Sequence, residues 1–334
     1  MKTAIAILNW NGRDLLAKFL PSVILHSEQL ASIYVIDNAS TDDSVEFVSQ
    51  KFPSVRVIKN TENGGYAKGY NDGLQHITAD LFILLNNDVE VTPNWLAPII
   101  SAFEADSNLG VAQPKLLDYY KKDHFEYAGA AGGFIDALGY PYCRGRIFEI
   151  LEKDNGQYDD EKAIFWASGA VFAVKSEIFY QAGKFDELYF AHQEEIDLCW
   201  RIKNLGYSIH YIGSSHVYHV GGATLDTMNP KKTFYNFRNS LFNLVKNTSS
   251  NTIWLIILGR LILDGFAGIK FLAAGKSQHF LAILKAHYSF YCTLPRLLRA
   301  RRAHNQSAKY YHCLSIVWQY YILKKKHFFN LKES

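Results

Sequence analysis

Four short apolar runs punctuate the first part of the chain: Thr3 to Leu8 (TAIAIL), Ser32 to Ile36 (SIYVI), Val55 to Ile58 and Leu81 to Leu85 (LFILL). Each has strand length; Ser32 to Ile36 is expected to be buried, and Leu81 to Leu85, an unbroken apolar run without the alternation of a half-solvated strand, to be buried on both faces. Between them the pattern changes. Asp14 to Leu25 carries apolar residues at helical spacing, Ser40 or Thr41 is placed to cap a helix beginning near Asp42, and Asn63 to Asn71 (NGGYAKGYN) runs into a helix through Leu74. Strand and helix therefore alternate as β-α-β-α-β-α-β, which predicts an α/β fold with a mostly parallel sheet and crossover helices.

Further along, Leu109 to Tyr158 is rich in glycine and tyrosine with weak periodicity, and is expected to form shorter strands and loops over the sheet. Ile164 to Val174 (IFWASGAVFAV) is strand-like around Ser168-Gly169-Ala170. His192 to Asn204 predicts a helix in which Ile196, Cys199 and Trp200 share a face and Asp197 and Arg201 form an i, i+4 pair, so Glu194 and Glu195 fall in its first turn. A strand from Ser208 to Ile212 leads into His216-Val217-Tyr218-His219-Val220-Gly221-Gly222, where the α/β body is expected to close. Lys231 to Lys246 has the pattern of a basic amphipathic helix. Ile253 to Ala274 is long enough to cross a bilayer but contains Arg260, Asp264 and Lys270. Each charge costs roughly 2.5–3.5 kcal/mol at a bilayer centre, so an interfacial or protein-packed helix is expected instead of a span. Basic-aromatic stretches follow at Arg296 to Arg302 and Lys324 to Phe329.

Composition sharpens this division. The net charge of +3 hides 17 Lys+Arg against 3 Asp+Glu after Thr224, leaving 18 against 29 before it. An acidic body with a basic, aromatic-rich end predicts a segment for an anionic surface, either membrane or nucleic acid. At 334 residues the chain can bury a full core, which argues against disorder. Cys143, Cys199, Cys292 and Cys313 are scattered, unlike a zinc site or a disulfide scaffold, and read as reduced thiols. The apolar run after Met1 is too short for a signal sequence, so a cytoplasmic location is expected. No GxGxxG or P-loop spacing follows any strand, which counts against a dinucleotide or ATP fold.

The chemistry lies at the strand ends. Leu81 to Leu85 ends in Asn86-Asn87-Asp88, and Ser32 to Ile36 ends in Asp37-Asn38. In open α/β sheets ligands bind beyond the carboxyl ends of the strands, so Asp88 is placed where a cation and a phosphorylated ligand would meet. Asn-Asn-Asp is also an ordinary turn after a strand. Eight motifs in order, namely LNWNG (8–12), VIDNASTD (35–42), NGGYAKGYN (63–71), LLNNDVEV (84–91), SGA (168–170), GKFDELYF (183–190), EEIDLCWR (194–201) and HVGG (219–222), together resemble the family 2 glycosyltransferases of GT-A fold. Within them the resemblance is to the rhamnosyltransferase-like and galactofuranosyltransferase-like branch, and it covers residues 1 to 246.

The resemblance implies an inverting transfer of a sugar from a UDP- or dTDP-sugar to an acceptor hydroxyl. The acceptor would be a lipid-linked or cell-surface glycan precursor. It implies Glu195 as general base, with Glu194 as its rival, although aspartate is usual at that position. Asp37 corresponds to the carboxylate that accepts from N3–H of uracil or thymine, and Asn9, Asn11, Gly12, Asn38, Ser40, Asn63, Gly64, Gly65, Ala67, Asn71 and Asn87 to the remaining donor-binding positions. Asn86 occupies the first position of the family's Asp-x-Asp motif, so Asp88 is left as the carboxylate ligand of Mg²⁺ or Mn²⁺. His219 completes that site, with His216 as the competing candidate. Trp166, Ser168, Gly169 and Glu194 are expected at the acceptor. The resemblance divides the chain into a catalytic domain, 1–224, with a nucleotide-sugar half (1–105) and an acceptor half (106–224), and a helical, basic region, 225–334. The latter is expected to hold the protein peripherally on the inner face of an anionic membrane, without a nucleic-acid partner. The alternative from another class is a non-enzymatic RNA- or membrane-binding protein on a degenerate nucleotide-binding fold.

Overall fold

The computed structural model describes residues 1–221, 229–248, 252–301 and 309–332. Gly222, Arg302 and the expected boundary at 224/225 lie outside them. The first half follows the predicted alternation: β1 (Thr3–Asn9), α1 (Arg13–Ser27), β2 (Ser32–Asp37), α2 (Ser44–Lys51), β3 (Arg56–Lys59), α3 (Gly65–Leu74) and β4 (Leu81–Asn86). Strands β3, β2, β1 and β4 lie side by side, all parallel, with Asn9 in register with Asp37 and Leu8 with Asn86. This register brings the polar ends of three strands to one sheet edge. β1, β2 and β4 are almost wholly buried because helices cover both faces, as their unbroken apolar runs require. The capping expectation is corrected: α2 starts at Ser44, and Asp42, through its carboxylate, receives the Ser44 amide and hydroxyl.

Beyond β4, Asn87 and Asp88 form a turn into β5 (Val89–Val91), followed by α4 (Leu96–Ala105) and β6 (Leu109–Asp118). A four-stranded antiparallel sheet follows, made of β7 (Gly133–Ile135), β8 (Pro141–Cys143), β9 (Arg146–Ile147) and β10 (Ile150–Leu151). The strand expected through Ser168 is two strands instead: β11 (Glu161–Ala163) and β12 (Val171–Lys175), with Ile164 to Ala170 as irregular chain between them. After α5 (Ser176–Gln181) and α6 (Glu194–Asn204), the long β13 (Ser208–His219) runs parallel to β6 and antiparallel to β5. The main sheet thus has the order β11-β13-β6-β12-β4-β1-β2-β3, with β5 attached to β13.

Three helices complete the described chain: α7 (Pro230–Asn247), α8 (Ile253–Ala273) and α9 (Ser277–Ala300). α7 packs on α6 and α9. The chain then returns to the small sheet, where His312 donates its backbone N–H to Ile135 and Ala137 donates to Cys313. Residues after 229 are therefore built into the body on the side of the small sheet.

Candidate active site

The pairing of β5 with β13 explains the centre of the site. Val89 is in register with His219, and Val220 donates its amide to the Asp88 carbonyl at 3.1 Å. His219 Nε2 consequently lies 3.1 Å from Asp88 Oδ1 and 3.4 Å from Asn86 Nδ2. Both His219 and Asp88 are buried. The strand pleat excludes the competitor: His216 and Tyr218 share the other face of β13, with ring centroids 5.9 Å apart. On the far side of the imidazole, Nδ1 is 3.4 Å from Oε1 of buried Glu126 and makes no hydrogen bond. Burial opposes the imidazolium, but the Glu126 and Asp88 carboxylates outweigh it and raise the His219 pKa to about 10.

From Asn87, beside Asp88, a hydrogen-bonded arc runs along the sheet edge. Asn87 Nδ2 donates to Asn9 Oδ1 at 2.9 Å, and Asn9 Nδ2 reaches Asp37 Oδ1 at 3.4 Å and Ser40 Oγ at 3.3 Å. Gly12 is needed here: a Cβ on it would lie 2.3 Å from Asn87 Nδ2. Asp37 Oδ2 accepts from the Ser40 amide at 3.0 Å, an Asx turn that folds the loop over the strand end. The Asn11 amide donates to Ser40 Oγ at 2.9 Å, and Thr41 N donates to Asn11 Oδ1 at 2.7 Å. Asn38 Nδ2 bonds Asn63 Oδ1 at 2.9 Å and the Gly65 carbonyl at 3.1 Å, drawing the 63–65 segment beside β2. Gly64 is the N-cap residue of α3, and Gly65 has φ +76° and would meet the Phe190 carbonyl with any Cβ, at 2.4 Å.

The arc ends at the acid helix. Tyr66 receives nothing from Phe190 but donates its own amide to the Phe190 carbonyl at 2.9 Å, while its hydroxyl donates to the Gly169 carbonyl at 2.8 Å. Phe190, His192 and Gln193 all have positive φ, from 61° to 69°. Three non-glycine residues in the left-handed region just before Glu194 are costly, and α7 holds them: Asn239 Nδ2 donates to the His192 carbonyl at 2.7 Å and to the Ala191 carbonyl at 3.0 Å. Helix α6 itself is fixed through Asp197, fully buried, which receives Arg201 Nε at 2.9 Å and Asn247 Nδ2 at 2.8 Å and lies 2.9 Å from Lys246 Nζ. Burial works against its charge, but the Arg201 and Lys246 cations win and hold the carboxyl below the usual range.

The two glutamates are pushed apart. Burial raises the half-buried Glu195 to about 7, with backbone N–H groups at the helix start opposing it. Glu194 is deeply buried, and burial with the charges of Glu195 and Asp197 drives it well above the usual carboxylate range. Among the described residues, six side chains have a buried polar atom without a hydrogen-bond partner, and three belong here: His192 Nε2, Glu194 Oε2 and His219 Nδ1, the last paired only ionically with Glu126. Such orphans concentrate where a polar ligand belongs.

Several expected contacts lie behind the site. Ala67 is fully buried, and Asn71 spends both ends of its amide on Phe185, with its Nδ2 also 3.1 Å from Glu187 Oε1. Trp166 is buried with Nε1 donating to the Phe134 carbonyl at 2.9 Å, and Ser168 gives its hydroxyl to the Ala128 carbonyl at 2.5 Å. These side chains shape the loops from within, while Gly169 stands closer to the opening, against Tyr66. Glu126 and Tyr66 join the site without a sequence signal of their own: Glu126 lies in a stretch without periodicity, and Tyr66 stands among the glycines and asparagines of NGGYAKGYN.

No group of three or more His, Cys, Asp or Glu among the described residues is arranged to hold an ion. Asp88 alone is a carboxylate donor of the kind that Mg²⁺ and Mn²⁺ take together with substrate phosphates, whereas His219 would have to give up the proton that Glu126 and Asp88 favour before its Nε2 could serve as a donor.

The family model for glycosyl transferase family 2 matches residues 4–175. An N-acetylglucosaminyl-diphospho-decaprenol L-rhamnosyltransferase of Mycobacterium tuberculosis is 27% identical over 222 residues, covering 61% of this chain and 71% of that protein. An N-acetylgalactosaminyltransferase 7 of Drosophila melanogaster is 25% identical over 234 residues, 66% of this chain and 39% of its own length. Among solved structures, the mannosyltransferase PcManGT from Pyrobaculum calidifontis in complex with GDP-Man and Mn²⁺ aligns with a TM-score of 0.54 at 13% identity over 87% of each chain. GalNAc-T7 with UDP, GalNAc and Mn²⁺ aligns with a TM-score of 0.53 at 19% identity, over 66% of this chain and 44% of that one. The fold is that of the GT-A glycosyltransferases, and the chain belongs to glycosyl transferase family 2, whose model spans β1 to β12 and ends before α6.

Proposed function

We propose that the protein transfers a sugar, with inversion, from a UDP- or dTDP-sugar to a hydroxyl of a lipid-linked glycan precursor. The observation that carries this reading is the series of hydrogen bonds across the ends of β1, β2 and β4, from Asn87, next in the chain to the Asp88–His219 pair, through Asn9, Asp37, Asn38 and Asn63 to Phe190, shortly before the Glu194–Glu195 turn. A relative whose name specifies a diphospho-decaprenol acceptor supports the acceptor class. Family membership leaves a non-enzymatic RNA binder without support.

In this reading Asp37, with lone pairs beyond those used by Ser40 and Asn9, accepts from N3–H of uracil or thymine. Asn9, Asn11, Gly12, Asn38, Ser40 and the 63–65 segment enclose the nucleoside, and Asn87 borders the diphosphate. Asp88 and His219 hold Mg²⁺ or Mn²⁺, which when bound neutralises charge on the departing diphosphate. Glu195 takes the proton of the acceptor hydroxyl as its oxygen bonds to the anomeric carbon and the bond from that carbon to the diphosphate breaks. Glu194, kept protonated, donates a hydrogen bond to the acceptor instead of competing for its proton. The basic region after residue 229 keeps the enzyme peripherally on the inner face of an anionic membrane, where a lipid-linked acceptor is found.

Calorimetry with UDP tests the donor half of this reading. Wild-type binding is expected to strengthen at least about tenfold with Mn²⁺, and Asp88→Asn to lose that gain, since removing the charged donor removes most of a site completed only by the diphosphate. Equal Mn²⁺-dependent affinity in Asp88→Asn would overturn the assignment.

A further inference from the structure

Helix α8 is built inside out. At 3.6 residues per turn, Trp254, Leu255, Leu258, Ile262, Phe266 and Ile269 fall on one arc of the helix, and each is more than half exposed. The opposite arc carries the charges: Arg260 and Asp264 are buried, paired Nε to Oδ1 at 2.7 Å. Tyr140 donates its hydroxyl to Asp264 at 2.8 Å, His287 Nε2 lies 3.2 Å from the other carboxylate oxygen, and Arg260 Nη1 reaches the Leu138 carbonyl at 3.2 Å. A helix on a water-exposed surface has the reverse polarity, and an apolar face of this length marks an interaction site.

We propose that this outward arc of α8 is a docking surface that lies in the headgroup–acyl boundary of an anionic lipid bilayer. The inference rests on the membrane association proposed above and assigns it to one face of one helix. Charge selects the occupant. Among the described residues from Asn229 onward the only side-chain carboxylate is Asp264, and it is fully buried, so the described part of this region presents cations without acids. A second copy docked through α8 would bring two such regions together, whereas anionic headgroups complement them. The ends of the helix carry the side chains suited to the interface: Trp254 in the first turn, and near the last turn Lys270, whose Nζ is 3.1 Å from the hydroxyl of Tyr321. The helix lies along the membrane instead of crossing it, because Arg260 and Asp264 tie it to the turn between β7 and β8. Among the described residues no helix is long and apolar enough to cross a membrane.

Vesicle flotation of the full chain decides between the outcomes, using pure phosphatidylcholine and mixed phosphatidylcholine–phosphatidylglycerol vesicles. The wild type is expected to float with the mixed vesicles, and the triple variant Leu258→Ser, Ile262→Ser, Phe266→Ser to bind them at least about tenfold more weakly with an unchanged thermal melt. Should the triple variant melt early, quenching of tryptophan emission by brominated acyl chains, compared between wild type and Trp254→Phe, reads the same contact. Wild-type protein that binds neither vesicle overturns both this surface and the membrane association. A triple variant that floats as well as wild type, or a Trp254→Phe variant quenched as strongly, overturns the α8 assignment alone. So does a wild-type dimer that the triple substitution dissociates while flotation persists.

Discussion

Glu195 is the residue on which the proposed chemistry turns, and its surroundings give it a measurable signature. Burial lifts its pKa to about 7. A general base works only when ionised, so kcat/KM for transfer should rise as pH rises through about 7 and then level off. Glu195→Gln should lose about 10² to 10⁴ in single-turnover transfer while retaining donor affinity, and Glu195→Asp should recover part of it with the same direction of pH dependence. Glu194→Gln should be milder, because a group already protonated at neutral pH is closely mimicked by an amide. Transfer by Glu195→Gln at the wild-type rate would move the base elsewhere. At this scale the positions of Asp88, Asp37 and Glu195 at strand and helix ends are legible in the sequence, because carboxylates there stand out from apolar runs. Glu126 is not: it faces His219, more than ninety residues later, across a pairing that only the fold creates. That the Ser168 hydroxyl is spent on the Ala128 carbonyl is likewise not legible, because a sequence does not show which polar groups are satisfied internally.

Among the elements, α6 and α7 act as one unit. Asp197 takes its cations from its own helix, at Arg201, and from α7, at Lys246. Replacing Lys246 with methionine removes a buried countercharge and should destabilise the protein by about 2 kcal/mol or more at neutral pH, read from urea unfolding. The pH dependence has a definite sign. A carboxyl whose folded pKa is depressed contributes stability above its unfolded value and loses it as pH falls through the folded one. The wild type should therefore lose this contribution in acid, and Lys246→Met should show a flatter decline there. An unchanged urea midpoint would mean that Arg201 suffices for Asp197. The pattern of the chain disclosed β1 to β4 and α6 to α8, whose apolar periods are clean. It did not disclose β6 as one long strand, where buried Lys115 interrupts the apolar run and is answered by Asp154 at 2.9 Å. Nor did it disclose α9, in which exposed Lys285, Arg296 and Arg299 share a face with Tyr288 and blur the period.

For the molecule as a whole, the division into a catalytic body and a basic region is a division of charge more than of packing. α7 holds the left-handed turn at 190–193, and the chain beyond α9 adds backbone hydrogen bonds at Ile135 and Ala137. A chain ending at Gly221 should accordingly show no cooperative thermal transition, because Asp197 loses Lys246 and Asn247 and the strained turn loses Asn239. A soluble truncated domain that melts cooperatively and binds UDP would show that the body stands alone. The dependence of Asp197 on residues some fifty positions downstream also has a temporal side. During synthesis the sheet and α6 leave the ribosome before Lys246 and Asn247 do, so the acid turn waits, with an uncovered helix face and an incompletely neutralised aspartate, for α7 to emerge. The nascent chain can pair its strands early, but the turn before α6 gains its supports only after α7, the helix that precedes α8, has been made.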